Sequence, residues 1–128
     1  MGQAYLVGRG GAVKTGVEMV LLWENASPTS TFAAQNVAIA NITDYDMLLI
    51  ECSYASDGPY RYSCLFKAEV GAIGISHIMW ASTGNYSHRQ VEVIETGIAF
   101  GPGHRTGKEA NGYTIPLRFY GLKGVTWK

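Results

Sequence analysis

The chain predicts an all-β fold, an antiparallel β-sandwich of jelly-roll-like character with seven to eight strands and little or no helix. Three observations point there. Apolar residues come in short runs closed by clusters of Gly, Pro, Asn and Asp, the punctuation of strands and turns. No stretch sustains an apolar period of 3.6 residues, so no amphipathic helix is expected. The 128 residues include 16 glycines, which suits many tight turns.

The elements follow in order. Residues 1–16 hold five glycines and little periodicity, and read as a flexible or extended lead-in, a linker or stem remnant. Residues 17–128 form the folded domain. Val17, Met19, Leu21 and Trp23 alternate with Glu18, Val20, Leu22 and Glu24, so both faces of this first strand are largely apolar and burial on two sides is expected. Asn25 to Thr31 is a loop of breakers, and Gln35 to Ile42 a second strand. Met47 to Tyr54 is the strongest strand, two-sided again at Met47–Ile50. Asp57-Gly58-Pro59 reads as a hairpin turn returning through Tyr60 to Val70. Ile75–Ala81 and Gln90–Ala99 are strands on either side of a Thr83-Gly84-Asn85-Tyr86 turn. Gly101 to Gly112 reads as a long loop. Tyr113 to Tyr120 is the last strand, with Ile115, Leu117 and Phe119 inward. Pro116 has no N–H to donate, so that strand lies at an edge or its proline sits at a break in pairing.

Length and composition describe one domain large enough to bury a core without metal or disulfide. Ten basic and ten acidic residues cancel, and the basic ones are scattered, which argues against nucleic acid and anionic membrane surfaces as partners. No run approaches the ~18 apolar residues of a membrane span, so no membrane insertion is expected. The opening Met1-Gly2-Gln3 lacks the basic start and apolar core of a signal peptide. Leu6 stands where an N-myristoylation motif needs Ser or Thr. The low charged fraction of 16% fits a subunit that hides surface in an oligomer.

The chain closes on Pro116-Leu117-Arg118-Phe119-Tyr120-Gly121-Leu122-Lys123-Gly124. Near its other end it reads Leu22-Trp23-Glu24-Asn25-Ala26-Ser27-Pro28, then Phe32-Ala33-Ala34-Gln35, then Tyr45-Asp46. In this order the pieces resemble the C-terminal domain of bacteriophage and prophage tail-fibre and minor structural, receptor-binding proteins, over about residues 18 to 125. The resemblance implies a β-rich module at the tip of a tail fibre, part of the virion and assembled in the host cytoplasm. It also implies a homotrimer attached to a host cell-surface glycan or polymer. It carries over no catalytic residue. Within the motif, Trp23 and Phe32 read as core, Asn25 and Gln35 as backbone-bonding loop residues, and Tyr120 with Gly121–Gly124 as the dock of the C-terminus.

Catalytic and metal chemistry find little footing. Cys52 and Cys64 would face each other if the hairpin had a symmetric three-residue loop. They read either as a cross-strand disulfide or, preferred for a reducing assembly compartment, as two small buried thiols. His77 and His88 would face each other across the Gly84-Asn85 turn, and with Glu92 they would offer three ligands. Yet no His-x-His or His-x-x-x-His spacing supports a site, and His104 falls in the long loop, so no metal is expected. The carboxylate pairs Asp44/Asp46 and Glu92/Glu95 lie beside a turn and on opposite strand faces respectively. There is no Gly-x-Ser-x-Gly elbow, and Gly8-Arg9-Gly10-Gly11 ahead of Lys14-Thr15 has the wrong spacing for a phosphate loop. The expectation is a non-enzyme with no catalytic residue and no cofactor. What remains is aromatic and polar: Tyr54, Tyr60 and Tyr62 about one turn, Trp80, Tyr86 and His88 about another, and Arg105, Lys108 and Asn111 in the long loop. Sugars bind by stacking C–H faces on such rings while amides and charges hold the hydroxyls, and turns at one end of a sandwich present such groups together. Tyr60, Tyr62, Trp80, Tyr86, His88 and Arg105 are therefore the candidate ligand-binding residues, against the alternative that these aromatics pack in the core or between subunits. The rival readings are a structural trimerisation cap that touches no receptor and a small depolymerase-like hydrolase.

Overall fold

The computed structural model describes residues 5–8, 11–14, 16–55 and 60–125. The strands are β1 (Tyr5–Gly8), β2 (Gly11–Lys14), β3 (Glu18–Glu24), β4 (Gln35–Ala38), β5 (Met47–Ala55), β6 (Arg61–Lys67), β7 (Ile73–Met79), β8 (Tyr86–Ile94), β9 (Gly97–Arg105), β10 (Lys108–Glu109) and β11 (Tyr113–Lys123). The only helical element among the described residues is a 3₁₀ turn, Ile42–Asp44. Every pairing is antiparallel. One sheet runs β3-β11-β5-β6, the other β10-β9-β8-β7, with β4 beside the start of β9, on Gly97–Phe100. Two sheets face each other across a shared core, the all-β sandwich that the short, broken apolar runs predict. Within the stretch read as a lead-in, β1 and β2 pair as a separate two-stranded ribbon.

Strand boundaries differ from the sequence reading where turns are tight. The run Gln90–Ala99 is cut at Glu95-Thr96, so β8 ends at Ile94 and β9 starts at Gly97. The expected long loop 101–112 is instead the end of β9 and a hairpin to β10, with Arg105 opposite Lys108. Its two central residues, Thr106 (φ 48°) and Gly107 (φ 83°), both take positive φ, the condition for a two-residue turn that matches strand twist. Threonine is an unusual choice there, so the turn was illegible. The Gln35–Ile42 strand stops at Ala38, and the chain then turns through Asn41 in the left-handed region. The Asp57-Gly58-Pro59 turn lies outside the described residues.

Two-sided burial holds for β5, where Met47, Leu48 and Ile50 are buried. It does not hold for β3. That strand is at the sheet edge and turns Met19 and Leu21 to solvent, each about half exposed (51% and 51%). β11 is central, not an edge, and Pro116 sits at a break in pairing. The β11–β5 register shifts between Pro116 and Arg118, and pairing to β3 begins only at Arg118. The carbonyl oxygens of Pro116 and Leu117 accept instead from Asn25, through Nδ2 (2.8 Å) and the backbone N–H (2.9 Å).

The motif residues interlock in the same way. Trp23 packs on Phe32 and Phe100, and Phe100 on Phe119, in an aromatic chain with centroid separations of 5.1 to 6.3 Å. The Tyr45 ring lies against Gly121, whose missing side chain leaves it room. The Asp46 carboxylate accepts from the backbone N–H groups of Gly124 and Val125. Arg118 bridges Glu24 and Glu51 at 2.8 Å each across three strands. These residues hold the fold together, as the sequence reading expects of Trp23, Phe32, Asn25 and Gly121–Gly124.

A polar network also runs through the interior, and Arg89 is its centre. The side chain is fully buried on β8. It donates through Nε to the Thr114 carbonyl (2.8 Å), through Nη2 to the Tyr113 carbonyl (3.2 Å) and through Nη1 to the Gly101 carbonyl (2.7 Å), so it joins one sheet to the other. The Phe32 ring lies 5.3 Å beneath the guanidinium. Burial pushes its pKa down to about 10, which still leaves it charged at neutral pH. Thr114 is held at φ 47°, a strained conformation for a β-branched residue. Its hydroxyl is shared with the hydroxyls of Tyr62 and Ser87, and these bonds fix the strained turn. Gly103 permits the approach: a Cβ there would lie 2.7 Å from Arg89 Nη2 and 2.6 Å from the Tyr113 and Ala110 carbonyl oxygens.

Arg89→Ala is expected to lower the unfolding free energy by at least about 3 kcal/mol, because three carbonyls lose their donor in a dry interior. Gly103→Ala should cost about 1–3 kcal/mol by overpacking. Urea denaturation checks both, and an Arg89→Ala protein within about 0.5 kcal/mol of the parent would show that the guanidinium does not hold the sheets together.

Candidate functional site

Two clusters gather at the end of the sandwich where β5, β7 and β9 finish and β8 and β11 begin. The first is aromatic. Tyr54 on β5 is its hub, with ring centroids 4.3 Å from Trp80, 5.3 Å from Tyr113 and 6.5 Å from Tyr60. Arg105, at the end of β9, donates through Nε to Tyr54 Oη at 3.4 Å and lies 5.1 Å over the Tyr113 ring. That phenol contact raises the Arg105 pKa. Trp80 is placed by the turn after β7: its N–H donates to the Asn85 carbonyl (2.9 Å), and its own carbonyl accepts from Gly84 (2.7 Å). Tyr60 is 56% exposed, while Tyr54, Trp80, Tyr113 and Arg105 are part-exposed. Tyr113 joins the cluster to the Arg89–Thr114 network below.

The second cluster lies on the outer face of the second sheet. Cross-strand register aligns His77 on β7 with His88 on β8, His88 with His104 on β9, and His104 with Glu109 on β10. The His88 and His104 rings stack at 4.8 Å and 9°, His77 lies 6.2 Å from His88, and Tyr86 stacks on His88 at 5.9 Å. The pKa of His88 is lowered by burial first, then by His104 and His77. His104 Nδ1 is buried with no hydrogen-bond partner. Beside the row Ile75, His88, Gln90, Gly101, Pro102 and His104 line a hollow of about 240 Å³.

The candidate residues thus divide. Tyr60, Trp80 and Arg105 come together around Tyr54, and Tyr86 and His88 join the histidine row. Tyr62 turns inward: its hydroxyl is taken by Thr114, and burial pushes its pKa up to about 12. The facing of His77 and His88 was legible, because the turn between them is short. Tyr113, His104 and Glu109 were missed as site members, since the β9–β10 hairpin that places the last two was read as loop. Cys52 pairs with Tyr62 and Cys64 with Ile50, and both thiols are free. Cys52 bonds Ser76 in the core, where burial pushes it up to about 12, far from a reactive thiolate. Asp46 is engaged by the C-terminal segment, and Asp44 belongs to the 3₁₀ turn. Among the described residues no group of three His, Cys, Asp or Glu side chains is arranged to hold a metal ion, and no helix is long and apolar enough to cross a membrane. In comparisons with known proteins, no family model, no curated protein and no solved structure matches this chain.

The stacked row has a consequence for acid stability. The folded-state pKa of His88 lies below the ordinary 6.5, so between that value and 6.5 the unfolded chain binds more protons than the native one. Its contribution is complete above pH 6.5 and is lost as pH falls through the lowered folded value. The urea midpoint is expected to rise between about pH 5 and about pH 7, and His88→Gln to flatten that rise. Parallel denaturation series of the two proteins measure it, and an equal slope in both would remove His88 as the cause.

Proposed function

We propose that this domain is the receptor-binding tip module of a phage tail fibre, attaching as a homotrimer to a host cell-surface glycan or polymer. The phage assignment rests on the ordered motifs Leu22–Pro28, Phe32–Gln35, Tyr45-Asp46 and Pro116–Gly124. The binding role rests on one observation: Tyr54, Tyr60, Trp80 and Tyr113 are clustered at one end of the sandwich with the Arg105 guanidinium among them. Ring faces of this kind take the apolar face of a sugar, and a guanidinium anchored by a phenol is a fixed donor for its hydroxyls. Tyr62, turned inward, has no part in this surface.

A structural cap of the fibre is the second reading, and a specific observation favours it. Ile73, Ile75 and Met79 share the outer face of β7 and are each at least half exposed, a row of apolar side chains that a neighbouring subunit would cover. The two readings separate on one variant. Trp80→Ala is expected to keep the trimer mass in light scattering and to weaken cell or glycan-array binding by about 1.5 kcal/mol, roughly tenfold. A parent trimer that binds neither cells nor glycans would move the function to the cap, full binding by the variant would take the ligand off this surface, and a monomeric parent protein would remove the fibre-tip reading itself.

A further inference from the structure

We propose that the histidine row on the outer face of the second sheet is a second binding site, separate from the aromatic end, which takes the carboxylate of an acidic sugar and engages only in acid. The three histidines of the chain stand on three adjacent strands in one register row. Antiparallel partners share a face, so all three imidazoles point outward together, with Glu109 closing the row beside His104.

The charges facing this row decide what it can hold. On β7 the other outward residues are Ile73, Ile75 and Met79, all apolar. On β8 they are Tyr86, Gln90 and Glu92, and Glu92 stands four residues from His88, about 13 Å along the strand. On β9 and β10 they are His104 and Glu109, and β4 has no charged residue. Arg105 and Lys108 pair on the opposite face, and Arg89 points into the core. From β6, beside β7, Cys64 reaches the Ile75 backbone, whereas Arg61 and Lys67 alternate to the outer face of the other sheet. Acid adds protons to imidazole groups, and the row then adjoins a single carboxylate, Glu109, at the His104 end. His88 and His77 then form a positive strip without a counter-ion, and like charges stacked at this range repel until an anion joins them.

The hollow beside the strip supplies the rest. Ile75 and Pro102 give it apolar walls, and Gln90 an amide with both donor and acceptor. That combination suits one pyranose ring whose carboxylate reaches His88 and His77. Phosphate and sulfate esters are held by arginine forks and lysines, and no arginine or lysine belongs to this face among the described residues.

Isothermal titration with D-galacturonate, D-galactose and acetate, with chelator present, tests the site at about pH 5 and about pH 8. With the aromatic end disabled by Trp80→Ala, galacturonate is expected to bind in acid and at least about tenfold more weakly in base, galactose at neither pH, and acetate more weakly than galacturonate. Equal affinity at both pH values, or galactose binding like galacturonate, would overturn the proposal. Acetate matching galacturonate would overturn the sugar ring as ligand and leave a bare carboxylate site. His88→Gln should abolish acid binding. Glu109→Gln, which keeps every histidine, should tighten it and extend it to higher pH, and no change in either variant would count against the row. Trp80→Ala should bind galacturonate unchanged, so failure here is distinct from failure of the aromatic end.

Discussion

A charged guanidinium placed between two β-sheets has to be met by oxygen atoms, and those that meet Arg89 are the carbonyls of Gly101, Tyr113 and Thr114. Much else in the sandwich is arranged to keep them there. Gly103 leaves the space, Asn111 Oδ1 accepts from the Gly103 N–H to hold the backbone in place, and Phe32 covers the cation with its ring. Thr114 takes a backbone conformation that a β-branched residue avoids, and the bonds to its carbonyl and hydroxyl over-determine it. Desolvating such a charge costs several kcal/mol. The charge-assisted bonds to three carbonyls offset that cost, and what remains is a fixed registration of one sheet against the other.

That registration divides the interior. Toward one end lie Trp23, Phe32, Phe100, Phe119 and Phe66, an aromatic chain that needs only shape and burial. Toward the other lie Arg89, Ser87, Thr114, Tyr62, Cys52 and Ser76, linked by hydrogen bonds that need direction as well. A purely apolar core tolerates small sliding of its layers, and a buried polar network does not. The polar network sits beneath the aromatic surface residues, where Tyr113 and Thr114 accept from Arg89.

The ordered motifs of the sequence have a coherent physical role in this frame. Most lie far from their partners along the chain and beside them in space: Asn25 on Pro116, Tyr45 on Gly121, Asp46 on Gly124, Glu24 on Arg118. They close the β3–β11–β5 side of the sandwich around a central strand that a proline would otherwise interrupt. The two surfaces proposed to bind other molecules lie elsewhere, on the aromatic end and on the outer face of the second sheet.

The sequence by itself determined the class of fold, the existence of most strands, the burial of Ile115, Leu117 and Phe119, and the facing of His77 and His88. Those rest on local alternation and on short turns, which neighbouring residues specify. Tertiary structure alone decided the rest. Apolar alternation in β3 says nothing about whether a second layer covers both faces, and Met19 and Leu21 are exposed because no layer covers the outer face of β3. A positive-φ Thr106-Gly107 turn carries no strong local signature, so His104 and Glu109 came into line only once β9 and β10 paired. Arg89 looks like any surface arginine in a polar stretch. Its burial follows from carbonyl groups that β9 and β11 bring to it from 12 to 25 residues further along the chain, a distance over which no local pattern carries information.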